Sequence, residues 1–184
     1  MEQLIYENAV EGLFVRGFGK RITPKLKAAM REAGLDLDAP LKTTYPGPVI
    51  NTCSKLLREH LYAHEKDDLK AYTDIGSTTL DGFFDTVLGR AMASVLRIVG
   101  YERIIDRLPR QMASGSNYQI VTVKRVKPGE AEVHCSDCEP HPGINVGVFT
   151  RAFGHWFQAP NFVCVILKVD QTGCTYRLTW TPKS

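Results

Sequence analysis

The densest group of chemically capable side chains is the run His134-Cys135-Ser136-Asp137-Cys138-Glu139-Pro140-His141. Cys-x-x-Cys spacing lets two thiolates reach one tetrahedral zinc, and His141 would supply a third ligand if the chain curls back after Cys135. Cys164 or Cys174, from a neighbouring strand, would complete the shell. His134 alternates with Cys135 along a strand and faces the other way. A redox role needs the motif to open a helix after a strand, and Glu139-Pro140 interrupts that context. The plain alternative is a polar loop whose cysteines and histidines are incidental.

A second set is aromatic: Phe83, Phe84, Tyr118, Phe149, Phe153 and Trp156. Such residues line apolar ligand clefts, with Tyr118 able to add one hydrogen bond. They equally form the core where helices meet a sheet. Arg107 and Arg110 beside Lys124 and Arg125 read either as an anion site or as scattered surface charge. Gly17-Phe18-Gly19-Lys20 lacks the spacing of a phosphate loop and follows no clear strand. No Ser-His-Asp arrangement or nucleophile elbow is present. Asp81 and Asp85, four apart on one helical face, read as solvent-facing. These observations favour a binding protein over an enzyme.

The elements that must position these residues follow from hydrophobic period. Up to about residue 113, apolar residues recur at helical spacing. Tyr6 to Arg16 suits a short helix. Thr23-Pro24 opens another, which Gly34 stops, and Pro46-Gly47-Pro48 opens a third. Helix signals resume at Leu69, Gly76-Ser77-Thr78 reads as an interruption, and residues 79 to 99 read as one long helix. Glu102 to Leu108 is a short turn of helix closed by Pro109.

Beyond the turn cluster Ser114-Gly115-Ser116-Asn117 the order becomes strand, strand, helix, strand, strand. Tyr118 to Val126 pairs with Ala131 to Cys135 across a hairpin. Ile144 to Phe157 is amphipathic helix, and two more strands end at Thr181. The expected fold is α+β: a helical lobe over 1–113, then an antiparallel sheet of about four strands crossed by one helix over 114–184, together one domain.

Composition bounds the setting. The chain has 184 residues, 43% hydrophobic and 23% charged, with net charge +3. It is long enough to bury a core without metal, and too weakly basic to argue for nucleic acid. No apolar run is long enough to span a membrane, and the acidic N-terminus does not read as a signal peptide. Five irregularly spaced cysteines suit reduced thiols, so a cytoplasmic setting is expected.

Several runs carry a resemblance: Glu11-Gly12-Leu13-Phe14-Val15-Arg16-Gly17, Ala33-Gly34-Leu35-Asp36-Leu37, Tyr45-Pro46, Leu88-Gly89-Arg90-Ala91, Leu108-Pro109-Arg110 and Gly115-Ser116-Asn117-Tyr118. In this order they resemble a paralogous family of unknown function best known from myxobacteria. The C-terminal half, from Pro142-Gly143 to Trp180, is similar to the superfamily of heme–nitric oxide binding domains, vinyl reductase domains and small TRAPP subunits. The resemblance implies a cleft between lobe and sheet that holds heme, lipid or another small apolar ligand.

Heme itself is not expected. Heme sensors of this kind ligate iron through a histidine on a helix of the first lobe, and Ile98 to Leu108 contains none. Their porphyrin-carboxylate motif Tyr-x-Ser-x-Arg is also missing, since residues 133–137 read Val-His-Cys-Ser-Asp. The expectation is a module that binds or senses a small apolar molecule or lipid, with a homodimer as its natural assembly. The alternatives are a scaffold acting through a protein interface, and a zinc module built on Cys135, Cys138 and His141.

Overall fold

A computed structural model describes residues 2–182. Strand β1 (Leu4–Tyr6) leads into α1 (Glu7–Val10), which continues as a π-helical segment, Glu11–Gly17. Helix α2 (Pro24–Glu32) starts where expected: the Thr23 hydroxyl accepts the Leu26 N–H at 3.3 Å, and Pro24 takes the first turn. Strand β2 (Thr44–Pro46) runs directly into α3 (Gly47–Leu61). The short β1–β2 pair was not expected from sequence, because three residues carry too little periodicity to register.

Two helix boundaries differ from the sequence reading. Helix α4 (Asp68–Phe84) passes unbroken through Gly76-Ser77-Thr78, and the break falls at Asp85-Thr86 instead. There the Thr86 hydroxyl accepts the Gly89 N–H at 2.9 Å and caps α5 (Val87–Val99). Gly76 is a contact residue, not a breaker: a Cβ there would lie 2.0 Å from the Ile144 carbonyl oxygen. Helix α6 (Tyr101–Met112) likewise runs past Pro109, at the cost of one backbone hydrogen bond.

The C-terminal half bears out the expected strand, strand, helix, strand, strand order. Strands β3 (Val121–Lys127), β4 (Glu130–Cys135), β5 (Val163–Asp170) and β6 (Gly173–Thr179) form one antiparallel sheet ordered β3-β4-β6-β5. Helix α7 (Gly143–Phe149), extended by a π-helical segment Thr150–Trp156, crosses between the strand pairs. The chain is thus α+β, as its patterning implied.

Packing divides the molecule elsewhere than at residue 113. One apolar core gathers Phe14, Phe18, Leu26, Met30, Leu57 and Ile75 from the first four helices. The other joins Ile104 and Ile105 of α6 to Phe149, Phe153, Tyr176 and Leu178 on the sheet side. Helices α5 and α6 therefore belong with the sheet. Helix α4 serves both cores, giving Ile75 to the first and Leu80 to the second. Full burial of such side chains stabilises by about 1.5–3 kcal/mol each.

The expected first strand also starts later than Tyr118. The Ser136 hydroxyl takes the Ile120 N–H at 2.9 Å, which ends regular pairing at Val121. Residues 114–120 are instead pinned to the N-terminus. Asn117 accepts the Leu4 N–H through its side chain at 2.8 Å and donates its own N–H to the Leu4 carbonyl at 3.0 Å. That clamp lays the Tyr118 ring across the backbone of Gly47.

Candidate functional site

Between the two cores lies a cavity of about 280 Å³. This is near the lower end of small-molecule sites, about 300–1,000 Å³, and larger than a cavity of about 150 Å³ that holds benzene. Helix α6 supplies Ile104, Leu108 and Gln111 at helical spacing, and α4 supplies Leu80, Phe83 and Phe84. Phe149 and Phe153 close it from α7 and its extension, both without exposed surface. The loop after β4 and the Ser114–Gln119 segment complete the wall.

Five of the six aromatic residues singled out from sequence line this space: Phe83, Phe84, Tyr118, Phe149 and Phe153. Trp156 does not, and its place there passes to Phe157. The π-helical turn explains the exchange. The Phe157 N–H bonds back five residues to the Ala152 carbonyl at 2.9 Å, which widens the turn and shifts the inward stripe. Trp156 instead packs on Phe84, with ring centroids 4.7 Å apart, and donates its indole N–H to Asp81 at 2.8 Å.

Asp81 also accepts both bonds of Arg151, at 2.8 and 2.9 Å. The reading of Asp81 as merely solvent-facing is corrected: it ties α4 to the segment that carries Phe153. Helical spacing alone cannot reveal a partner seventy residues away.

The Cys-x-x-Cys loop is not a gathered metal site. Cys138 is disulfide-bonded to Cys174, with Cα atoms 6.2 Å apart, which also corrects the expectation of reduced thiols throughout. The ladder register brings this about. Cys174 pairs with Cys135, and the loop beyond Cys135 folds back over it. Cys135 has no exposed surface, and burial pushes its thiol up to about 12, so it is a poor source of thiolate. Among the described residues no group of three or more His, Cys, Asp or Glu side chains could hold a metal ion.

His141 lines the cavity, stacked on Tyr72 with centroids 4.7 Å apart. Its Nδ1 accepts the Gly143 N–H at 3.0 Å, which leaves the proton on Nε2. Burial lowers the ring's pKa and keeps it neutral.

The remaining polar wall groups are largely satisfied within the protein. Ser54 and Thr79 donate to carbonyls one turn back, at 2.9 and 2.7 Å. Asn145 donates to the Tyr176 hydroxyl at 3.3 Å, and that hydroxyl donates to the Pro142 carbonyl at 3.1 Å. Gln119 donates to the Asp137 carbonyl at 2.8 Å. The Tyr118 hydroxyl faces the Asp137 carboxyl, and burial raises the pKa of both, Tyr118 to about 12. Asp137 stood within the run singled out from sequence, but nothing there separated it from its neighbours.

A model of a protein family of unknown function, DUF2378, matches residues 3–181. The chain belongs to that family. Solved structures of H-NOX proteins share its fold. A Tt H-NOX double variant superposes with TM-score 0.71 at 9% identity, over 100% of this chain and 97% of its own. A structure solved to probe heme distortion in the H-NOX family gives 0.65 at 11% identity, covering 95% and 97%. An Fe(II) unliganded H-NOX variant from K. algicida gives 0.63 at 10% identity, covering 100% and 98%. No curated protein matches the chain. The resemblance to a family of unknown function is borne out, and the solved structures show a fold shared with H-NOX proteins, the low identities carrying the fold alone.

Whether the cavity of this DUF2378 member suits the heme of those neighbours is a question of donors. His141 is the histidine in the described wall, and its Nε2 carries a proton where iron would need a lone pair. The Cys138 sulfur is held in a disulfide, and Tyr118 is held as the phenol. No Lys or Arg among the described wall residues would pair with porphyrin carboxylates. The residues present do not fit an iron porphyrin.

Proposed function

We propose that this DUF2378 protein is a non-enzymatic binding or sensing module that holds a small apolar molecule in the cavity between its two cores. The carrying observation is the cavity itself, walled by Phe83, Phe84, Phe149, Phe153, Ile104 and Leu108. A ligand there touches α4, α6 and α7 together. Because α4 belongs to both cores, occupancy would bias how they pack, and a population shift of that kind is how a sensor reports. The fold shared with H-NOX proteins supports the sensing role.

Native mass spectrometry of the purified protein tests the reading, together with titration of a neutral apolar dye. Wild type is expected to retain organic mass or to bind the dye. Leu80→Phe, which fills the cavity from α4, is expected to stay folded and lose at least tenfold in dye affinity. Equal binding by that variant would place the dye elsewhere and remove the proposal's support.

A second reading, assembly through a protein interface, is favoured by α5. Val87 is 76% exposed and Ile98 is 89% exposed, with Leu88 and Val95 also open. This stripe suits a homodimer or a scaffold contact. Sedimentation of wild type against Ile98→Glu would decide it, and a monomer in both cases would rule the dimer out.

A further inference from the structure

We infer that the cavity selects a cationic amphiphile, an apolar body of one or two rings or a medium alkyl chain ending in an ammonium group beside Asp137 and Glu139. This rests on the reading of the cavity as a ligand site and names the class of ligand.

The first observation is the charge of the wall. The chain as a whole is basic, with 23 Lys and Arg against 20 Asp and Glu. The described cavity wall reverses that balance: it contains Asp137 and Glu139 and no Lys or Arg. Both acidic residues sit on the loop after β4, and much of the rest of the wall is Phe, Leu and Ile.

The second observation is how Asp137 is placed. Its carboxyl is half-buried and meets the Tyr118 hydroxyl and the backbone N–H groups of Cys138 and Glu139, but no cationic side chain among the described residues. Desolvation holds its pKa above the ordinary range, so the bare carboxylate is disfavoured until a positive charge arrives. The surroundings reinforce the sign, since Asp67 and Asp68 act electrostatically on neighbouring His141. Of the cations on that side, Arg58 is engaged by Asp68 at 2.7 Å and by the Tyr62 and Glu65 carbonyls, and Lys70 by Glu65 at 2.6 Å.

The third observation is that Ser54, Thr79, Gln119 and Asn145 of the wall already spend their donors within the protein. Asp137 and Glu139 are the acidic side chains of the described wall that would recognise a head group. An ammonium donates hydrogen bonds to both and supplies the missing countercharge. A fatty acid brings a further negative charge to an acidic corner. A neutral alcohol donates one hydrogen bond and no charge.

The test is displacement of a bound neutral apolar dye, at pH 7 and low salt, by octylamine, 1-octanol and octanoate. Hydrogen bonds to charged groups are worth about ten- to a hundredfold in affinity. Octylammonium is therefore expected to displace the dye at least tenfold more readily than octanol, with octanoate weakest and the advantage shrinking at high salt. In Asp137→Asn the ratio of ammonium to octanol affinity is expected to fall to within about twofold. Glu139→Gln, at an exposed position, reads the same ratio if Asp137→Asn folds poorly. Octanol equal to the ammonium, or octanoate tightest, overturns the cationic assignment while the cavity reading stands. Failure of the dye and all three compounds to bind overturns the cavity reading and this inference with it.

Discussion

Gly76 of α4 and Ile144 of α7 meet backbone to backbone: a Cβ on Gly76 would stand 2.0 Å from the Ile144 carbonyl oxygen. Gly147 of α7 repays the contact, since a Cβ there would stand 2.0 Å from the Thr73 carbonyl oxygen of α4. The helix shared by both cores and the helix that closes the cavity are thus held closer than any larger residue permits.

Gly76→Ala is expected to destabilise the fold by about 1–3 kcal/mol, because overpacking outweighs the roughly 1 kcal/mol that alanine gains in helix propensity. Gly154→Ala is the control, since a Cβ there meets nothing within 4 Å. Urea midpoints should fall for the first variant and hold or rise for the second. Equal midpoints would show that α4 and α7 can separate without penalty.

Reduction of the Cys138–Cys174 bond is expected to lower stability. The bond closes a loop of sequence separation 36, for which chain entropy allows at most about 4 kcal/mol. Thermal melts with and without reductant check this, alongside peptide mapping of unreduced protein. A melting temperature indifferent to reductant, with no crosslinked peptide, would remove the bond from the account.

Asp81→Ala removes the acceptor shared by Arg151 and Trp156. The pair is over a third exposed, so the expected cost is modest, about 1–2 kcal/mol after screening. Its coupling to Arg151→Ala should be non-additive in a double-mutant cycle. Tryptophan emission should shift as well, because Trp156 is one of two tryptophans. Additive stabilities and unchanged emission would show that Asp81 positions neither partner.

Asp137 makes stability depend on pH with a defined sign. Its folded pKa is raised, so its protonated form stabilises the fold below the unfolded value of about 3.9, and that contribution is lost as pH rises through the folded pKa. The groups facing it are Tyr118, which stays protonated, and Glu139, whose charge adds to the penalty. Asp137→Asn should therefore gain on wild type between pH 4 and neutrality, in the absence of ligand. Parallel stability curves for the two proteins across that range would contradict it.

Hydrophobic period by itself determined the α+β class, the strand, strand, helix, strand, strand order and the Phe83, Phe84, Phe149 and Phe153 stripes. Each of these follows from side chains repeating along a local axis, so the chain states them without reference to distant parts. Gly76 was misread because glycine breaks an isolated helix but also permits close packing, and only Ile144 opposite it decides between the two. Cys138 was misread for the same reason: its partner is chosen by the register of β4 against β6, not by the spacing to Cys135. Trp156 left the cavity because one widened turn changed the phase of a stripe that assumed 3.6 residues. Asp137 became visible only when a loop, a clamp at Asn117 and an apolar wall converged around it. Contacts across many residues and the presence of unfilled space are properties of the folded chain, and no local pattern records them.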